Sequence, residues 1–146
     1  MTHNDLALLK PAFEDRVRAA LDEMRNDPVL KELGVTSIGI SETKRDIEVQ
    51  MAYFSRGRMK PTDVKTMYKA AGLYQIRDDD ASVVVTWTLD SKHLRGEAVD
   101  LVPQKNGIQW WTAPETVWKR MGEIGVKAGL SWGGSWKNTD NPHFEI

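Results

Sequence analysis

Two short segments constrain this chain more than anything else in it: Ser91-Lys92-His93-Leu94-Arg95-Gly96-Glu97-Ala98-Val99-Asp100 and, at the C-terminus, Asp140-Asn141-Pro142-His143-Phe144-Glu145. They hold two of the three histidines in the sequence, each close to an aspartate. His93 and Asp100 flank Gly96, which permits a sharp turn, so both side chains can return to one point from the ends of neighbouring extended segments. Asp140 and His143 are close enough for one to bind a metal while the other reaches the water that metal would hold, and Pro142 stiffens the approach through its fixed φ. Two imidazoles and one carboxylate are enough to hold a zinc ion with its fourth position open, and a second carboxylate could take the proton of the water there.

The rest of the composition narrows the chemistry. There is no cysteine, so disulfides, thiolate zinc sites and a cysteine nucleophile are excluded, and any metal must sit on His, Asp or Glu. With 146 residues, 40% of them hydrophobic, the chain suits one domain, residues 1–146, with a proper core and no separate wall-binding unit. A net charge of −1 argues against nucleic acid as the main partner. Met1-Thr2-His3-Asn4-Asp5 has neither a basic start nor an apolar stretch, and no run approaches a membrane span, so a cytoplasmic protein without stable membrane association is expected.

Hydrophobic spacing predicts the elements. Phe13, Val17, Ala20, Leu21 and Met24 recur at helical intervals, and Asp27-Pro28 offers an N-cap for a short second helix ending at Gly34. Val35 to Ile40 reads as a strand, about Asp46 to Ser55 as a helix, and Pro61-Thr62 opens another helix carrying Val64, Met67, Tyr68 and Ala71, with Gly72 as C-cap. Val83 to Thr88 and Glu97 to Val102 are β-rich runs, the expected centre of a sheet. Pro114 begins a last helix with Val117, Met121, Ile124 and Ala128 on one face, and His143 to Ile146 reads as a closing strand. This order suggests an α+β domain, a small, mainly antiparallel sheet flanked by helices.

SKHLRGEAVD and DNPHFE resemble the paired motifs, S-x-H-x-x-G-x-A-x-D and D/E-x-x-H, of the zinc peptidases that include D-alanyl-D-alanine carboxypeptidases, the VanX and VanY enzymes and phage L-alanyl-D-glutamate endopeptidases. Further matches extend from about Ser41 to Ile146. Ser41-Glu42-Thr43-Lys44-Arg45, Gln50, and Tyr53-Phe54-Ser55-Arg56-Gly57-Arg58 resemble the family's E-T-x-R, Gln and L-Y-x-x-G-R segments. Val85-Thr86-Trp87 and Trp132-Gly133-Gly134-Ser135-Trp136 resemble the V-T-W and W-G-G-x-W of the endopeptidase branch.

The resemblance implies a zinc site of the Hedgehog/D,D-peptidase type with one ion per chain. His93, Asp100 and His143 match its ligands, Asp140 the general base and Arg45 the arginine that steadies the oxyanion. A guanidinium suits that role because it stays charged and offers several donors. Many relatives carry Glu where Asp140 stands. Ser91 is a secondary candidate for a hydrogen bond to a ligand or substrate, and Glu145 for orienting a histidine. Glu97 reads as a solvent-facing turn residue and His3 as part of a mobile terminus. Trp87, Trp132 and Trp136 offer a platform for an extended peptide or sugar, and one of Trp110 and Trp111 is expected at the surface.

The function implied is a zinc peptidoglycan endopeptidase that cuts the L-alanyl-D-glutamate bond of the stem peptide. Such an endolysin would act as a monomer and wait in the cytoplasm for a membrane pore. The alternatives are a carboxypeptidase or dipeptidase of the same fold, which must capture a terminal carboxylate, and a non-catalytic zinc-stabilised binding module. Retention of Asp140 and Arg45 beside the ligands argues against the last.

Overall fold

The computed structural model describes residues 3–146; Met1 and Thr2, part of the N-terminal stretch read above, lie outside them. Helix α1 (Pro11–Asn26) starts on its proline and buries Phe13, Val17, Ala20, Leu21 and Met24, the stripe the spacing predicts. Asp27 then caps α2 (Pro28–Glu32), its carboxylate accepting from the Leu30 N–H at 3.0 Å. The same carboxylate receives Arg120 Nε at 3.0 Å and Nη2 at 2.8 Å, which ties α2 to the last helix, α6 (Glu115–Lys127).

Arg120, opposed by burial and helped by the Leu30 N–H, holds the Asp27 carboxyl below its ordinary value of 3.8. The stability it confers is therefore complete above that value and lost as pH falls through the folded pKa. Loss of the cap and of the charge-assisted bonds in Asp27→Ala should cost about 2 kcal/mol and lower the melting midpoint by roughly 6 °C at neutral pH. Thermal unfolding of both proteins across the acid range checks this, because the gap should close as pH falls.

The sheet is antiparallel at every pairing. Strands β1 (Ser37–Glu42), β2 (Ala98–Lys105), β5 (His143–Glu145) and β4 (Ser131–Trp132) lie in the order β1-β2-β5-β4, and β3 (Ile108–Gln109) pairs with β2. Val99, Leu101 and Phe144 join α1 and α6 in the main core with Phe13, Leu21, Val117 and Met121. Helix α6 can seat this closely because Gly122 and Gly125 face the sheet: a Cβ on either would lie 2.3 Å from the rings of Trp132 and Phe144, respectively. The strand that carries His143 is thus pressed against a helix on its far side. A second apolar cluster joins α3 (Ile47–Ser55), α4 (Pro61–Ala70) and α5 (Asp78–Ala81) through Val49, Ala52, Val64, Tyr68, Ile76 and Ala81. The expected α+β class, with its small antiparallel sheet and flanking helices, is what the chain adopts.

Several local expectations need correction. Val83 to Thr88 forms no strand. Its β-rich composition finds no vacant edge on β2, which β1, β5 and β3 already occupy, and β propensity is realised only against a partner. The segment is instead an irregular wall, with Val83, Val85 and Trp87 exposed. His93 does not end an extended segment; it sits on a single 3₁₀ turn, Lys92–Arg95, closed by Gly96 at φ +70°. Glu97 is not turned to solvent but meets Lys10 at 2.5 Å and Arg95 at 3.6 Å. His3 is tethered, with Nε2 3.2 Å from Asp46 Oδ1 and its carbonyl accepting from the Thr43 N–H at 2.7 Å. β3 stops at Gln109, after which Trp110 packs against the core beneath Lys105 while Trp111 is half exposed.

Candidate metal centre

Strand register brings three acidic or imidazole side chains into one row. Glu42 of β1 pairs with Asp100 of β2, after a bulge at the end of β1, and Asp100 pairs with His143 of β5. Residues directly opposite on neighbouring strands project to the same face, so the row runs across three strands. His93 joins it from the 3₁₀ turn just before β2, whose first turn is capped by Ser91 Oγ accepting from the His93 N–H at 3.3 Å. Ser91 therefore caps the turn that presents His93.

His93 Nε2 lies 3.3 Å and His143 Nδ1 3.4 Å from Asp100 Oδ1. Ligand atoms about 2.0–2.1 Å from a tetrahedral zinc are themselves separated by roughly 3.3–3.4 Å, so both spacings fit one ion. All three ligand atoms lie within 4.8 Å of one another. Their other bonds orient them. His93 Nδ1–H donates to the Thr43 carbonyl at 2.7 Å, which leaves Nε2 as a lone pair, and His143 Nε2–H donates to Glu145 Oε1 at 2.9 Å, which leaves Nδ1. His93 Nε2 and Asp100 Oδ1 are buried without a hydrogen-bond partner, and buried polar atoms are rarely left so. A cation between them satisfies both, and an all-nitrogen and oxygen donor set with one carboxylate suits zinc.

Burial drives the Asp100 pKa up, but His143 and His93 outweigh it and hold the carboxyl well below the usual range. Burial likewise acts to lower His143, yet Asp100, Asp140 and Glu145 raise it. Glu145 is itself tied to Lys92 at 3.0 Å, and Lys92 and His143 overcome its burial to keep it ionised. Loss of such a carboxylate behind a ligand histidine typically weakens metal affinity by about 10–100-fold. Glu145→Gln is expected to fall in that range, measured by titration against a competing chelator, with the folded state preserved.

Asp140 stands beside the three. Its Oδ2 is 3.8 Å from His143 Nδ1, its N–H donates to the Gly133 carbonyl at 2.9 Å and its carbonyl accepts from the His143 N–H at 3.2 Å. Gly133 has to be glycine for this approach, since a Cβ there would sit 2.4 Å from the Asp140 carbonyl oxygen. Burial and the neighbouring Asp100 push the Asp140 carboxyl up.

Arg45 reaches the same cleft from the loop after β1, its N–H donating to the His93 carbonyl at 2.9 Å. The guanidinium stacks 4.8 Å above the Tyr53 ring and is paired with Glu42, which outweighs burial and keeps it charged. Arg45, Ser91, His93, Asp100, Asp140, His143 and Glu145 line one cleft of about 1070 Å³ with Trp87 and Trp136, whereas Trp132, read as part of the same platform, packs against Gly122 and the main core instead. The segment Val84 to Thr88 also lines the cleft, together with Tyr53, Tyr74 and Trp136, whose ring centre is 4.9 Å from that of His143. Sequence reading gave no separate role to Thr43, the acceptor that fixes the His93 tautomer, nor to Glu42 and Gln50, the partners of Arg45. Their presence inside the motif segments was the available signal.

Residues 85–146 match the family described as D-alanyl-D-alanine carboxypeptidase, which is the family the paired motifs resemble. No curated protein sequence matches the chain. Among solved structures, the fold is similar to that of Serratia marcescens L-Ala D-Glu endopeptidase ChiX, at 22% identity and a TM-score of 0.60, covering 100% of this chain and 88% of that one. It is also similar to the vancomycin-resistance D,D-pentapeptidase VanY from a VanB-type cassette, solved as a point mutant in complex with Zn(II), at 15% identity and a TM-score of 0.53, covering 94% of this chain and 72% of that one. At these identities the likeness is one of fold.

Proposed function

We propose that this chain, whose residues 85–146 carry the pattern of the D-alanyl-D-alanine carboxypeptidase family, is a zinc peptidase of bacterial cell-wall peptide, and within that class an L-alanyl-D-glutamate endopeptidase acting as a phage endolysin. The observation that carries the peptidase reading is the convergence of two buried, unpartnered ligand atoms, His93 Nε2 and Asp100 Oδ1, with His143 Nδ1 and a carboxylate free to work as a base. The choice of bond rests on the VTW and WGGSW resemblance and on the likeness to an endopeptidase fold.

His93, Asp100 and His143 would hold one zinc. Zinc in such a site supplies Lewis acidity, which makes water a nucleophile near neutral pH and polarises a carbonyl. Asp140, half exposed in the cleft, takes the proton of the attacking water and can return it to the leaving amine. Arg45 presents its remaining N–H donors to the carbonyl oxygen as charge develops there. Trp136 and the exposed Trp87 both line the cleft and offer aromatic surface to an extended peptide. The partner is then the peptidoglycan stem peptide, met by a monomer released to the wall through a membrane pore.

Digestion of purified Gram-negative peptidoglycan, with mass spectrometry of the fragments, tests the reading. The expected products carry a new N-terminal D-glutamate and leave L-alanine on the muramic acid lactyl group. Free D-alanine as sole product would assign a carboxypeptidase, new reducing sugar ends would exclude a peptide bond as the target, and no cleavage by zinc-loaded protein would leave only a binding module.

A further inference from the structure

Gln50 of α3 is completely buried, and its amide is divided between two parts of the cleft. Its Oε1 accepts from Arg45 Nη1 at 2.7 Å, while its Nε2 donates to the Thr88 carbonyl at 2.7 Å and to Thr86 Oγ1 at 3.3 Å. Of the five N–H donors on a guanidinium, the Arg45 group commits three, to Glu42 through Nε and Nη2 and to Gln50 through Nη1. Two remain for a substrate. Glu42 grips one edge of the plane and Gln50 stops it swinging about that edge, so the direction of the two free donors depends on both.

The Thr86–Thr88 wall needs such a hold because it has no strand partner. Besides Gln50, it is fastened by Arg58, whose Nη2 donates to the Thr86 carbonyl at 3.0 Å and whose guanidinium lies 3.9 Å from the Phe54 ring centre and 6.0 Å from that of Trp87. A carboxamide is the neutral group that offers an acceptor to an arginine and donors to a backbone carbonyl from one plane.

We propose that Gln50 is a positioning residue that couples the oxyanion-facing orientation of Arg45 to the seating of the cleft wall at Thr86–Thr88. The proposal rests on the reading of Arg45 given above. A buried glutamine that merely satisfied local polar groups would affect folding but not the chemistry performed through Arg45.

A double-mutant cycle separates the two, because residues acting through one another lose their separate costs when the first is removed. Gln50→Met keeps the length and removes both the acceptor and the donors. In the zinc-loaded wild-type background it is expected to lower kcat about tenfold or more with little change in KM; in the Arg45→Ala background it should lower kcat less than about twofold. Hydrogen–deuterium exchange of the peptide spanning residues 84–90 should quicken in Gln50→Met, with or without added zinc, as the wall loosens. Equal losses of kcat in both backgrounds, or unchanged exchange in the wall, would overturn the coupling. An Arg45→Ala enzyme as fast as wild type would instead overturn the role of Arg45 itself, and the proposal with it.

Discussion

Asp140→Asn is expected to slow hydrolysis of the stem peptide by about a hundredfold to ten-thousandfold while zinc content stays at the wild-type level. The amide has the size of the carboxylate and can keep a hydrogen bond to water, but it cannot accept a proton at neutral pH. Folding is insulated from the change because Asp140 is anchored through its backbone, to Gly133 on one side and His143 on the other, while its side chain is half exposed. In the metal-free cleft burial and the charge of Asp100 raise the pKa of Asp140, and a cation held by Asp100 would oppose that rise. Activity should decline as pH falls and the carboxylate is protonated. Fragment release followed by chromatography, with metal analysis of the same samples, checks both halves; wild-type cleavage rates with zinc bound would remove Asp140 from the chemistry.

The site was more legible in the sequence than the architecture around it. His93, Asp100, Asp140 and His143 draw notice because imidazoles are scarce in this chain and each of these two has an acid at short spacing, but it is the resemblance of the paired motifs that sets them apart from ordinary polar loop residues. Long helices were legible for a similar reason: the stripes of α1 and α6 repeat over several turns, and Asp27, Pro28 and Pro114 mark their ends. The Val83–Thr88 wall was misread because its residues favour strands, and no local pattern reports that the edges of β2 are taken by β1, β3 and β5. Sheet order was out of reach for the same reason, since register is a property of pairs of strands. Glu42, Thr43 and Gln50 matter through what they touch across the fold, and only the motif resemblance drew the eye to them. Glu97 was taken for a surface residue because its cationic neighbour Lys10 is distant in sequence.

The other large effect concerns the ligands. His93→Ala should lose stoichiometric zinc and lower the rate by on the order of a thousandfold or more, because water at neutral pH is a poor nucleophile unless its pKa is brought down from the bulk value toward about 7. His93 is 2% exposed and its ring spans from the Thr43 carbonyl to the point shared with Asp100 and His143, so its removal also opens a cavity and strands a carbonyl. A fall in stability could therefore imitate a catalytic loss. Chelation of the wild type separates the two. Wild-type protein stripped of metal should regain full activity on addition of one equivalent of zinc, and its melting midpoint should rise with it, since an ion that binds only the folded state stabilises that state. The stabilisation is expected to be substantial here, because Asp100 and Asp140 crowd the point faced by the lone pairs of His93 and His143, which are neutral in the tautomers that would bind the ion. His93→Ala should show neither response to zinc at the same concentration. A variant that retained full zinc and full activity would show that the two paired motifs do not hold the metal, and the function inferred from them would fall.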